Sequence, residues 1–258
     1  MNPAVTQWIQ QLADPDQAVA FYAYQSLQEE VLRTRESAAF AAVIGKELIA
    51  EAKPGEGGSD GPASFRNNAF LMAAAEKTAA PLHPARVRAR LARLLGYVPD
   101  ASAVPYLAKA LADLEVREMA RQALESNPSE QATEALARAL DAVGPEFSVG
   151  VVNSLAKRSG AKAAAAVRKA AGSPQPEIRI AALHGLSEFP DPSLDEILER
   201  ATRSASPAER RTAHIARVRL AEVLRASGNK AAAERICKAV LDGDAPEPQK
   251  KAARLQLA

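Results

Sequence analysis

Val116-Arg117-Glu118-Met119-Ala120-Arg121-Gln122-Ala123-Leu124 sets Val116, Ala120 and Leu124 at i, i+4 and i+8. That spacing places three apolar residues on one face of an α-helix. The same triplet stands at Val87, Leu91 and Leu95, at Phe147, Val151 and Leu155, and at Ile178, Ala182 and Leu186. Their first members follow one another at 29, 31 and 31 residues. A second series, Leu107, Leu136, Val167 and Leu198, keeps the same three intervals. Two apolar series in step define a repeating unit of two helices, a first and a second. One such unit cannot bury its apolar face alone, whereas stacked units share a continuous core. The sequence therefore predicts an all-α chain, an α-solenoid of stacked helix pairs with no sheet. Val19, Ala23 and Leu27 repeat the triplet 68 residues before Val87, about two units away.

Composition agrees with this reading. Alanine fills 58 of the 258 positions and aromatics only 4%, so helices and close helix contacts are favoured over strands. Proline and glycine punctuate the apolar-periodic segments, at Asp14-Pro15-Asp16, Pro99-Asp100, Asn127-Pro128, Gly144-Pro145, Pro190-Asp191-Pro192 and Gly228. The segments between them are of helical length, and about fifteen helices are expected. Ser206-Pro207-Ala208-Glu209 reads as an N-cap serine, a proline at the first helical position and a glutamate closing a capping box. Ser129 is expected to cap the helix that runs through Leu140.

The chain divides into N-terminal helices over 1–52, a flexible loop over 53–64, repeats over 65–204 and divergent helices over 205–258. Lys53-Pro54-Gly55-Glu56-Gly57-Gly58-Ser59-Asp60-Gly61-Pro62 has no apolar anchor, and no Gly-Lys-Ser/Thr follows to make a phosphate-cradling loop. A net charge of +2 points neither to a strongly basic nucleic-acid protein nor to an acidic tail. A single cysteine, Cys237, excludes an internal disulfide framework and a cysteine-based structural zinc site. No apolar run reaches membrane-spanning length, and the first fourteen residues do not read as a signal peptide. A cytoplasmic location is expected.

Ala103-Val104-Pro105-Tyr106-Leu107, then Ala110-Leu111-Ala112-Asp113, then the Val116 to Leu124 stretch resemble a bacterial HEAT-like repeat. The resemblance extends over 83–204 and partly over 1–30. The Val-Arg that opens the second helix recurs as Val87-Arg88 and Ile178-Arg179. In such repeats that arginine stacks with an acidic residue of the adjoining turn, so Phe147-Ser148 implies a break in the arginine ladder. Beyond Ser206, Arg219 to Glu234 resembles a tetratricopeptide helix pair, and Lys250 to Leu257 a final second helix.

The resemblance implies that second helices line the concave surface. Opposite the core triplet, the sixth position reads Gln25, Arg93, Gln122, Asn153 and His184, and the second reads Phe21, Ala89, Glu118, Val149 and Ile180. A polar row beside apolar Val149 and Ile180 suits a protein-binding groove made of Arg93, Gln122, Asn153, His184, Val149 and Ile180. Two arginine stripes offer a nucleic-acid alternative: Arg86, Arg90 and Arg93, and then Arg210, His214 and Arg217, each at helical spacing. His83, His184 and His214 fall on different helices without the repeated His-Glu pairs of HEAT-like metal hydroxylases, so no metal is expected. A resemblance to HEAT-like alkylpurine DNA glycosylases fails for want of an aspartate on the row. Trp8 falls on an amphipathic first helix with Val5, Ile9 and Leu12. Phycobilin lyases carry related repeats, but no further motif supports that assignment. The sequence thus predicts a non-enzymatic scaffold without cofactor, binding a protein partner.

Overall fold

The computed structural model describes residues 2–51 and 81–257. Among these, fourteen α-helices follow one another: α1 Val5–Gln11, α2 Gln17–Arg33, α3 Ser37–Leu48, α4 Ala85–Leu95, α5 Val104–Ala110, α6 Arg117–Ser126, α7 Glu130–Ala142, α8 Pro145–Ala156, α9 Ala161–Ala170, α10 Pro176–Leu186, α11 Asp195–Ala201, α12 Pro207–Ala226, α13 Lys230–Asp242 and α14 Glu247–Leu257. No strand occurs among the described residues; a lone antiparallel bridge pairs Glu51 with Pro81. The loop expected over 53–64 lies outside the described residues. No helix among them is long and apolar enough to cross a membrane.

The helices begin where turn residues satisfy their first N–H groups. Asp16 accepts from Ala18 N, Asp100 from Ser102 N, Asp191 from Ser193 N and Asn229 from Ala232 N. Ser129 Oγ accepts from Ala132 N at 3.3 Å, as the sequence predicts. Ser206 caps α12 through Glu209 N, but the capping box does not close. The Glu209 carboxylate turns instead to Ser204 Oγ and Arg179, because a charged partner on a neighbouring helix outcompetes a backbone N–H.

Contacts divide the chain into two compact units, 1–132 and 133–258. In the first unit, α1 packs on α2, α3 on α4, and α5 and α4 on α6. Val87, Leu91, Leu95, Ala120 and Leu124 are completely buried, as is Leu107 of the second series. Trp8 is half-buried, and Val5, Ile9 and Leu12 of its helix point into the core. Asn127 is fully buried. Its Nδ2 donates to Val98 O and Asp100 O at 3.2 and 2.7 Å, which fastens the end of α6 to the turn after α4.

In the second unit, the second helices α8, α10 and α12 pack side by side. Val151, Leu155, Ala182 and Leu186 are completely buried, and so are Leu136, Val167 and Leu198. Both apolar series therefore form the core. Each fully buried Leu or Val contributes roughly 1.5–3 kcal/mol of transfer free energy, so every periodic position adds to the stability of its unit. Beyond α12, α13 packs on α12 and α14, with Cys237 buried as a free thiol.

Candidate functional site

Each of the two units has its own face opposite the core. In the first unit Arg93 and Gln122 are exposed on the adjacent second helices α4 and α6. Arg93 Nε lies 3.1 Å from Met119 Sδ, and Gln122 Nε2 donates to Glu118 Oε1 at 3.1 Å. Phe21 on α2 is exposed and meets Tyr22 edge-on at 5.9 Å between centroids.

In the second unit Asn153 on α8 and His184 on α10 are exposed, while Val149 and Ile180 are half-buried between neighbouring helices. The polar row is thus at the surface, and its apolar companions are partly withdrawn from it. Exposure increases again on α12. Ile215 follows His184 by 31 residues, the repeat interval, and is 43% exposed. His184, Ser187, Ile215, Arg219 and the α14 residues Gln249 and Ala252 border an open cleft of about 340 Å³. Arg219 spans its rim, donating to both carboxylate oxygens of Glu188 at 3.1 Å and to Glu222 at 3.2 Å. Hydrogen bonds to Glu188 first, then Glu222, hold the Arg219 guanidinium above its usual pKa, and the rim sets this guanidinium between two acidic side chains. Sequence reasoning missed Ile215, although continuing the 31-residue interval one step past His184 reaches it.

The two arginine stripes have other partners. Arg86 Nη2 donates to Ala13 O at 2.9 Å and Arg90 Nη1 to Leu12 O at 3.2 Å, closing the C-terminus of α1. Arg210 Nη1 donates to Ser204 O and Ala205 O at 2.8 and 3.0 Å. Arg217 and His214 are buried, at 6% and 8% exposure, rather than solvent-facing. Arg217 binds both oxygens of Asp195. The expected exposed stripe at Arg210, His214 and Arg217 is therefore not present. The helical wheel drawn from α12 alone could not show that α11 and α13 cover that face.

A second constellation occupies the turn edge. Arg88 is buried and pairs with Asp113 and Glu115, and its Nε donates to His83 O at 2.9 Å. Arg179 donates to Ser173 O and Pro174 O, both at 2.8 Å, and to Glu209. Arg210 repeats the Arg179 pattern, each arginine reaching the carbonyls five and six residues before it. Ser148 stands in the corresponding place of α8, buried, with its Oγ on Gly144 O at 3.1 Å. The ladder has the rungs read from Arg88 and Arg179, and it lacks one at Ser148.

Residues 145–218 match the family model for HEAT repeats. No curated protein matches the chain. Among solved structures, the chain is similar to the complex of CpcE and CpcF of phycocyanin lyase from Nostoc sp. PCC7120, at 19% identity over 99% of this chain and 96% of that chain, with a TM-score of 0.43. It is also similar to human deoxyhypusine hydroxylase in complex with glycerol, at 18% identity over 98% and 94%, TM-score 0.31. A designed armadillo repeat protein in complex with the peptide (KR)4 is similar at 17% identity over 98% of each chain, TM-score 0.30.

Proposed function

We propose that the chain, whose residues 145–218 match HEAT repeats, is a non-enzymatic HEAT-like scaffold that binds a protein partner along its second helices, with the cleft beside His184 and Ile215 as the anchor. One observation carries this reading: Ile215, a large apolar side chain, stands 43% exposed at the border of an open cleft, at the register of the polar row. An apolar centre with a rim of mixed charge is the anatomy of a protein interface. Helices packed in register present it without a separate ordering cost on binding. The nucleic-acid alternative is weakened by the engagement of Arg86, Arg90, Arg210 and Arg217 with carbonyls and a carboxylate of this chain.

The test is a capture experiment with Ile215→Asp and, as a control, Leu255→Asp, which alters an exposed residue on α14. Ile215→Asp should abolish capture of a polypeptide from source-cell lysate without shifting the thermal midpoint, and Leu255→Asp should leave capture intact. Retention by both variants would remove the cleft from the interface. A complex whose affinity falls steeply with salt and that disappears on nuclease treatment would instead show phosphate-backbone binding.

A further inference from the structure

The missing rung at Ser148 has a counterpart sixty residues earlier that shows what the site has lost. Arg88 and Ser148 open second helices at equivalent positions, and Lys109, Ala110 and Asp113 recur as Lys169, Ala170 and Ser173. The space around Ser148, bordered by Lys169, Ala170 and Ser173, measures about 540 Å³. Ser148 is as deeply buried as Arg88, so the helix has not moved the position to solvent; the side chain has been shortened in place.

The whole ion pair is gone, not one half of it. At an offset of sixty residues Ser148 stands for Arg88, Ser173 for Asp113 and Gln175 for Glu115; the glutamate that directly precedes the next second helix, Glu177, is exposed and does not border the cleft. An unpaired carboxylate in a half-enclosed space would attract a cation, and none remains at these positions. The charges at the border, Asp141 and Lys169, satisfy each other at 2.7 and 2.9 Å. Leu140, Val143 and Ile178 give the cleft apolar walls. At one end Ser173 Oγ donates to Gln175 Oε1 at 2.7 Å, which leaves the Gln175 amide N–H groups to donate.

We propose that this cleft receives an uncharged aromatic side chain with a polar tip, a tyrosine presented by a partner polypeptide. Burying a cation or an anion here would cost its hydration without a counter-charge, whereas a phenol ring fills apolar space and its oxygen accepts from Gln175. The site goes beyond the Ile215 face and does not depend on it.

The test uses the full chain and p-cresol, the tyrosine side chain as a small molecule, followed by NMR. Saturable shifts are expected at Ser148, Ser173 and Ile178, and none with N-ethylguanidinium. The double variant Ser148→Arg with Ser173→Asp restores the rung seen at Arg88 and should weaken p-cresol binding at least tenfold while retaining the helical spectrum. Should that variant fail to fold, Val143→Glu, at a partly exposed wall position, should weaken binding in the same direction. Absence of saturable p-cresol shifts in the unmodified chain would overturn the proposal, as would equal binding by a folded variant or a preference for N-ethylguanidinium. Because the probe is a small molecule, the outcome is independent of capture at Ile215.

Discussion

Arg217 Nε and Nη2 donate to the two carboxylate oxygens of Asp195 at 2.7 and 3.0 Å, with the guanidinium buried between α11 and α12. The bidentate geometry matches fork to fork and satisfies a charge that α12 could not otherwise bury. Removing one partner leaves the other in the interior uncompensated. Asp195→Ala should therefore destabilise the fold by about 3–5 kcal/mol. Replacing both residues with apolar ones, Asp195→Leu with Arg217→Met, should restore most of the loss. Urea denaturation of the three proteins checks this, and equal losses for the single and double variants would show that shape rather than charge governs the site.

Gly45 on α3 faces the ring of Tyr106 on α5. A methyl group at Gly45 would stand 2.2–2.6 Å from three ring carbons, well inside van der Waals contact. Gly45→Ala should then cost about 1–3 kcal/mol despite the better helix propensity of alanine. Combining it with Tyr106→Ala should relieve the overlap, so the two effects should be strongly non-additive in thermal melts.

Burial pushes the His214 imidazole below its usual pKa; Asp244 opposes the shift and Arg217 adds to it. Its Nδ1 is buried without a hydrogen-bond partner among the described residues. With the folded pKa depressed, the unfolded chain takes up a proton that the folded chain refuses. Stability should hold above about pH 6.5 and decline as pH falls below it toward the folded value. His214→Gln should flatten the profile in that window, measured as the thermal midpoint between pH 7 and pH 5. An unchanged slope would assign the acid sensitivity to other groups.

Ser204, then Arg179, hold the Glu209 carboxyl below its usual pKa against its burial. This contribution has the opposite window. It is present above the unfolded carboxyl value near pH 4.3 and is lost as pH falls through the lower folded value. Arg179→Ala removes the charge-assisted bonds at 2.5 and 2.9 Å and should destabilise the chain by about 1.5–3 kcal/mol at neutral pH. The difference from the unmodified protein should shrink in acid, where Glu209 is protonated in both.

The repeat period was legible because burial imposes it directly. A residue that must face the core in each unit recurs at the unit length, and Leu107, Leu136, Val167 and Leu198 show this without reference to coordinates. The missing rung at Ser148 was legible for the same reason, since a conserved offset from Phe147 locates it. The size of the space left behind was not, because it depends on Leu140 and Val143 at the end of α7 and on Ile178 of α10.

Helical phase tells which side of one helix is away from its own core triplet, and on that basis Asn153 and His184 were correctly expected at the surface. It does not tell what another helix lays over that side. Arg210, His214 and Arg217 share a face of α12, yet Asp195 reaches Arg217 from α11, and turn carbonyls claim Arg210. Val149 and Ile180 are half-withdrawn by packing between neighbours, while Ile215 on the next second helix remains open. Local periodicity thus determined the helices of the repeats and the core positions they share. The carboxylate partners of Arg217 and Arg179, and which apolar side chains remain exposed, were decided by contacts between separate helices, because burial is a property of the surroundings and not of the helix that carries the residue.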